Sequence, residues 1–587
     1  MNDLVPGPTL FPEPSGNSIV SLGREWVIGA EPHIMLMLKR IFPGLSKSTR
    51  GEFRLRRSPE VDRNLQWIME RWTFNISDRD RREMHAGAEW QRRHEREVSA
   101  ILAGRPSDRD WPMAVEPRDY QKVGAEWMWE VRKGLLGDEV GLGKTLTALA
   151  TFSRPGHLPA LIVCPLDLNI QWREQIERCY PTARVHIVRT GALYDIPDRT
   201  AKEEKQAGKE PGKGWPDFVV LNYDKLAKWG PSLAKANLKT VVYDEVQALR
   251  HHDSDRYAGA MALTTSVETI QALSATPIFN YGEEFYNIGE VVRPGFLGTR
   301  EEFKQEWCTR GNDGKSLIRE PRAFGKMLRE TGFMLRRTRK EIGRELPPLK
   351  IVPHQISAQL SIHGDDMAAL RRMAELIVNP PTGYDAARQI RDARRDFDVQ
   401  MRKLTGIAKA PQIASLAEML IESGEPVIIL AWHRDVWNIL AKKLEAYHPV
   451  FITGEESARE KHESKRTFIA GARQPGGCKV IGISLRSCAG IDGLQHVCST
   501  GITAEYDWTG AVEKQGIGRA SRDGQERPVV WYRPYMLSGA DPVMLDVCGV
   551  KEAQSSAILD PDAVVSNVEV DPNHIRKLAE DFLRRVR

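Results

Sequence analysis

Residues 137–145, GDEVGLGKT, are the stretch that decides the fold. They follow the apolar pair Leu135 and Leu136 and run into TLTALATF, giving strand, glycine loop and helix in the order a phosphate-binding loop needs. Gly141 and Gly143 free the backbone to wrap phosphates with its N–H groups turned inward. The start of the next helix adds partial positive charge. Lys144 is placed to reach terminal phosphates, and the Thr145 hydroxyl to bind magnesium. Asp138 stands where the strict G-x-x-x-x-G-K-[ST] form has glycine. A short G-x-G-K-T also arises by chance in loops, but the flanking strand and helix argue against chance here. Asp138 and Glu139 are therefore read, with Gly141, Gly143, Lys144 and Thr145, as one nucleotide cradle.

Working outward, Tyr120 and Gln121 lie some two dozen residues upstream, and a glutamine amide can pair with both the donor and the acceptor of adenine. Downstream, TVVYDEVQALR sets Asp244 and Glu245 at the end of a buried strand. One carboxylate there can hold magnesium (Asp244) while its neighbour orients or deprotonates the attacking water (Glu245). LSATPIFN follows, with Ser274 and Thr276 suited to sensing a phosphate through hydrogen bonds. Far along the chain, QGIGRASRDGQ spaces Gln515, Arg519 and Arg522 along one helical face, from which two guanidiniums can stabilise a transferring phosphoryl group. On this reading Glu245, Lys144, Arg519 and Arg522 are catalytic, and Gln515 joins the nucleotide contacts.

Size and composition frame these motifs. The 587 residues exceed what one core holds, and 41% hydrophobic with 28% charged residues describe a soluble globular chain. With 84 basic against 79 acidic residues the net charge is only +5, so any nucleic-acid surface must be local. Seven dispersed cysteines without a C-x-x-C pair argue for a reducing cytoplasm, against disulfides and against a structural zinc site. No apolar run is long enough to span a bilayer, and the opening MNDLVPGPTLFPEP lacks the features of a signal peptide.

Short apolar runs alternate with helical stretches in two series. ALIVC, DFVVL, TVVY and IQAL fall between 160 and 273, and PVIIL, KVIGI, GITA and VVWY between 426 and 532. The expected fold class is α/β: two RecA-like parallel-sheet lobes in tandem with helical insertions, plus a small N-terminal α+β unit. The expected segments are a flexible 1–24, an accessory unit at 25–110 and a first lobe at 111–345 with a helical protrusion from about 280. A helical linker at 346–420, a second lobe at 421–545 and a tail with a helix at 546–587 complete them. In the accessory unit Val61, Leu65, Ile68 and Trp72 share one helical face, and the charged run from Ser77 to Ala100 reads as a solvated helix.

From Pro117 to Pro534 the ordered motifs resemble the SWI/SNF-type branch of superfamily 2 helicase-like ATPases. The resemblance rests on GDEVGLGKT, LIVCPLDLNIQW, VLNYDKL, LSATPIFN, FMLRRTRKEIGRELPP and QGIGRASRDGQ. TGIAKA, AWHRDV and AEYDWTG look closest to its annealing-helicase (HepA-related) subgroup and phage and bacterial relatives, whose DNA-structure-recognising domain Glu25–Trp72 would match. Gln247, Ser274–Ala275, Ser521 and Asp523 depart from the branch's usual residues without removing a group needed for phosphate chemistry. The resemblance implies ATP and Mg2+ as cofactors, double-stranded or branched DNA as partner, and a motor that steps along duplex by sequence-blind phosphate contacts. Asn222, Tyr223 and Trp508 are the candidate DNA-facing residues, with Trp508 equally readable as core. A strand-separating helicase of DNA or RNA, a non-hydrolysing nucleotide-binding scaffold and a chromatin remodeller are the competing readings.

Overall fold

Aliphatic runs without polar alternation form strands buried on both faces, and this is where the chain builds two parallel sheets. The computed structural model describes residues 16–42, 52–104, 107–275, 282–310, 316–343, 346–360, 364–381, 385–488, 491–508, 510–546 and 574–586.

At the amino end, β1 (Ser18–Leu22), β2 (Glu25–Gly29) and β3 (Glu52–Arg56) form an antiparallel sheet. Helices α1 (Pro32–Ile41) and α2 (Pro59–Met69) pack with this sheet around Trp26, Leu38, Leu65 and Ile68. The segment expected to be flexible thus contributes β1, because Ile19 buries itself while Gly23 supplies the positive φ of a tight turn. The charged helix α3 (Asp78–Ala103) is not merely solvated. It buries Met84, Ala88, His94 and Val98, and the His94 ring shares a hydrogen bond with Glu130 of α4 (Asp119–Val131) at 2.8 Å, so α3 joins the small unit to the first lobe.

The first lobe adds β4 (Lys133–Leu136), α5 (Lys144–Ala150), β5 (Ala160–Cys164), α6 (Asn169–Cys179), β6 (Val185–Ile187) and α7 (Ile196–Gln206). It continues through β7 (Phe218–Asn222), α8 (Leu226–Leu233), β8 (Thr240–Asp244), α9 (Asp255–Thr264) and β9 (Thr269–Leu273). Helices α10 (Gly282–Val292) and α11 (Arg300–Trp307), the hairpin β10 (Cys308–Arg310) and β11 (Ser316–Ile318), and α12 (Pro321–Glu330) follow. The chain then returns as β12 (Met334–Leu335) beside β4, completing the parallel order β12-β4-β9-β8-β5-β7-β6. Beyond residue 280 it is therefore not purely a helical protrusion.

The second lobe opens on β13 (Leu349–Gln355), inside the stretch expected to be a helical linker. β13 pairs in parallel with β18 (Val529–Tyr535). Helices α13 (Gly364–Val378) and α14 (Ala386–Glu422) follow, then β14 (Val427–Ala431), α15 (Arg434–Lys443), β15 (Val450–Ile452) and α16 (Ala458–Gly471). β16 (Val480–Ser484), β17 (Thr500–Thr503) and α17 (Gly510–Ile517) precede β18, and the sheet order is β13-β18-β17-β14-β16-β15. A last helix, α18 (His574–Val586), packs against α13 and α14 through Leu578, Ala579 and Phe582.

Three motifs quoted for their resemblance meet in this lobe. The Glu505 carboxylate accepts the backbone N–H groups of Trp432 and His433 (2.7 and 2.8 Å) and pairs with the His433 ring. A Cβ on Gly406 would lie 2.5 Å from the same carboxylate, which is why that position is bare.

One buried carboxylate makes the small N-terminal unit sensitive to pH. The Trp26 indole donates to Asp62 at 2.6 Å, yet burial outweighs this bond and pushes Asp62 up to about 6. The folded unit therefore holds this proton more tightly than the unfolded chain. Stability is lost as pH rises from about 4 to about 6, by at most about 3 kcal/mol, and is flat above that window. Asp62→Asn keeps an acceptor for Trp26, so it should raise the unit's melting temperature at pH 7.5 and remove this part of the pH dependence. Thermal melts of both chains between pH 4 and 8 check the outcome.

Candidate active site

β4, β9 and β8 are adjacent, and their carboxyl ends carry the glycine loop, Ser274 and the acidic pair in that order. Parallel packing thus assembles the chemistry that the sequence spreads over 137 to 274. A separate surface cleft of about 440 Å³, lined by Trp90, His94, Arg132 and His157 among others, lies at the opposite, amino ends of the strands.

Gly141 and Gly143 both have positive φ (89° and 72°), as a loop wrapping an anion requires. A Cβ on Gly143 would lie 2.7 Å from the Gln121 amide nitrogen. That amide donates to the Leu142 carbonyl at 3.3 Å, and its oxygen accepts from the Arg118 N–H at 3.0 Å. Gln121 is buried and braces the loop from below. Lys144 donates to the Asp138 carbonyl at 2.8 Å. Burial lowers the pKa of its ammonium, while the charges of Glu245, Asp138 and Asp244 oppose that shift. Thr145 follows within α5.

The two acidic residues differ in surroundings. Asp244 ends β8, accepts the Trp172 indole N–H at 2.8 Å, and is pushed up to about 7 by burial and the neighbouring Glu245 charge. Glu245 holds left-handed backbone angles (φ 54°), a conformation that costs a non-glycine residue on the order of 1–3 kcal/mol and turns its side chain out of the strand's alternation. Gln247 donates to its carboxylate at 2.6 Å. The Ser274 N–H donates to the Leu136 carbonyl at 3.2 Å, and Thr276 lies outside the described residues.

Across the junction, α17 ends at Ile517, so Arg519 and Arg522 sit in a turn and not on the helical face the spacing implied. Gly516 and Gly518 explain the early end. Each position lies too close to a neighbour for a Cβ: Leu430 Cδ1 would be 2.3 Å away and Val140 Cγ1 2.9 Å away. Both guanidiniums donate to one acceptor, the Ile491 carbonyl, at 3.0 and 3.3 Å, and Arg522 also pairs with Asp492 at 3.1 Å. Arg519 has its pKa lowered by burial and by Arg522, with Glu245 among the charges opposing that shift. The Gln515 carbonyl accepts the Arg519 Nε–H at 3.2 Å.

Sequence reasoning gave no role to the strip Phe333–Arg339, quoted only as a marker. Its carbonyls at 333, 335 and 337 accept the N–H groups of Leu135, Gly137 and Glu139, so it runs as a second strand along β4 and into the loop. Asp138, fully buried, is not part of the cradle's open face: Arg337 takes both carboxylate oxygens. Glu139 likewise accepts the Arg339 backbone N–H at 2.9 Å. The signal was an apolar pair, Met334–Leu335, followed by cations, too short to read as a strand.

The candidate DNA-facing residues do not share an exposed face. The Tyr223 hydroxyl donates to the Asp244 carbonyl at 2.8 Å, beneath the acidic pair, and burial drives its pKa well up. Asn222 is buried and accepts the Lys225 ammonium at 2.6 Å. The Trp508 indole donates to Asp398 at 2.9 Å and packs, half-buried, against the helical cluster of α13, α14 and α18.

The two tandem parallel-sheet lobes bring a glycine loop and an acidic pair together with an arginine turn. Residues 120–361 match the model of the SNF2-related domain. An uncharacterized ATP-dependent helicase of Mycoplasma pneumoniae is 23% identical over 504 residues, covering 80% of this chain and 44% of that protein. The DNA repair and recombination protein RAD26 of Saccharomyces cerevisiae is 24% identical over 507 residues, covering 72% and 45% respectively. The chain thus spans less than half the length of these curated relatives. Among solved structures, the Sulfolobus solfataricus SWI2/SNF2 ATPase core in complex with dsDNA aligns at 20% identity with a TM-score of 0.35, covering 77% of this chain and 95% of that one. Among the described residues no helix is long and apolar enough to cross a membrane.

The Asp138–Arg337 pair is the strongest stability test in the site. Asp138→Ala leaves a guanidinium whose side chain is only 12% exposed without its anion, which should cost about 3–5 kcal/mol. Chemical denaturation should show a lower midpoint for the first lobe, and Asp138→Leu combined with Arg337→Met should recover part of the loss.

Proposed function

We propose that the chain is an ATP-driven motor that moves along double-stranded DNA and remodels DNA or protein–DNA structures. The observation that carries this reading is the meeting of Lys144 in its glycine loop, the Asp244–Glu245 pair two strands away, and Arg519 and Arg522 on the facing turn. Cations and left-handed glycines on one side and two carboxylates on the other suit a polyphosphate carrying a hard divalent cation. Lys144 and the loop amides would hold the phosphates, and Thr145 and Asp244 would hold Mg2+, which neutralises phosphate charge when bound. Glu245, presented by its left-handed backbone, would orient and deprotonate the attacking water.

Arg519 and Arg522 would leave the Ile491 carbonyl to meet the charge that develops on the transferring phosphoryl group. Gln121 is committed to bracing the loop, and Gln515 would join the nucleotide contacts from the facing segment. The DNA track is supported by the relatives, an ATP-dependent helicase and a DNA repair and recombination protein. A reducing cytoplasm suits the six described cysteines, all of them unpaired and buried.

ATP turnover should rise with duplex or branched DNA and fall steeply with salt, as phosphate-held binding does. Lys144→Ala should lower turnover by about 10²-fold or more. Equal turnover by Lys144→Ala and the unaltered chain would refute the site. Strand displacement on tailed duplexes, if as fast as movement on blunt duplex, would favour a strand-separating helicase.

A further inference from the structure

We infer that Arg339 is a positioning residue that couples the glycine loop to the arginine turn of the second lobe. The assignment rests on the ATP-hydrolysing reading of this junction. Three arginines of one strip divide the work. Arg336 donates to the Gly137 carbonyl at 2.7 Å, and Arg337 holds Asp138 and the Tyr120 carbonyl, all within the first lobe. Arg339 behaves differently. Its guanidinium donates to the Val140 carbonyl through Nε (3.1 Å) and Nη2, and Nη2 also reaches the Ser521 carbonyl of the second lobe at 3.2 Å.

The lobes touch closely around this bridge, with bare glycines facing the side chains of the other elements. A Cβ on Gly518 would meet Val140 at 2.9 Å. One on Gly141 would meet Arg339 at 3.1 Å and the Arg522 Cβ at 3.5 Å. The turn that carries Arg519 and Arg522 is therefore seated directly on the loop tip, and Arg339 ties the two backbones where they meet. Among the described residues two ion pairs also cross the junction, Arg118 with Asp523 (3.1 Å) and Lys461 with Asp167 (3.0 Å). The first is about half exposed at both ends and so contributes little. Arg339, with its side chain 17% exposed, works in a drier setting where charge-assisted bonds count for more.

The chemistry explains why arginine is needed. The Val140 carbonyl is gripped by Nε–H and Nη2–H together while Nη2 also reaches Ser521, and a lysine ammonium on its flexible stem offers no such fixed pair of donors. A shift of about 1 Å in the turn would misplace both finger guanidiniums, which can cost about 10²-fold in rate. Arg339 touches neither the loop's inner face nor the acidic pair in this arrangement, so its effect runs through the register of the lobes.

Two readouts test the assignment. Turnover and nucleotide affinity are measured for Arg339→Ala and Arg339→Lys, with a fluorescent ATP analogue for binding and thermal melting to confirm folding. Lobe closure is read separately, from the rate at which a short thiol crosslinker joins Lys461→Cys to Asp167→Cys, with and without Arg339→Ala. Coupling predicts that turnover falls about tenfold or more in both variants and crosslinking slows by a similar factor, the worth of a lost charge-assisted bond, while analogue affinity stays within about threefold. Full turnover in Arg339→Lys would overturn the inference. So would unchanged crosslinking in Arg339→Ala, or equal losses of affinity and turnover. If the unaltered chain turns over no ATP, the reading of the site fails by itself, and crosslinking still decides the coupling.

Discussion

A loop built from glycines cannot hold its own shape, and in this protein its shape is imposed by backbone pairing with a strip that arrives some two hundred residues later. Carbonyls of Phe333, Leu335 and Arg337 take the N–H groups of Leu135, Gly137 and Glu139, and Arg337 neutralises the buried Asp138. Everything at the junction is referenced to this frame. Lys144 starts its helix from the loop so held, and the acidic pair is placed two strands away by the same sheet. The second lobe docks on the loop's outer edge at Val140 and Gly141. Aspartate is tolerated at position 138, where the strict loop pattern has glycine, because its side chain is aimed away from the cradle and into the frame.

The junction is built from small groups and divided cations. Gly518 leaves room for the Val140 side chain and Gly141 for Arg339 and Arg522, which makes the fit sensitive to a displacement of less than one methyl group. The Arg519 and Arg522 guanidiniums share the Ile491 carbonyl of their own lobe, a resting place that keeps two like charges close together. An anionic ligand in the cleft would relieve that repulsion, so departure from the resting place is favoured by the charge that calls for it.

How much of this was legible in the sequence depended on burial. Central strands such as Ala160–Cys164, Val427–Ala431 and Val480–Ser484 are covered on both faces, so they appear as unbroken apolar runs. Edge strands carry no such signal. Val185–Ile187 and Val450–Ile452 are three residues long, Met334–Leu335 is two, and Leu349–Gln355 is largely exposed. The glycine loop and the acidic pair stand out because each sets particular residue types at fixed spacing, whereas the arginine segment reads as helix and folds as a turn. Arg339 could not, since nothing local marks a cation whose partners are carbonyls from two lobes. Asn222 and Tyr223 misled because a motif's polar residues resemble surface ones, and only the fold shows the tyrosine hydroxyl lying beneath Asp244.

The long reach from β4 to β12 also sets an order of events as the polypeptide is made. The strip that frames the loop lies 199 positions beyond it, so the ribosome must add that length before the loop can be fixed. At ordinary synthesis rates this is on the order of ten seconds or more. During that interval the strands from β4 to β9 exist without their outer edge, and Asp138 has no cation to receive it. Until the arginines emerge the nascent first lobe has an open edge along β4 and a carboxylate without its cation, so the shape of the glycine loop is among the last properties that lobe acquires.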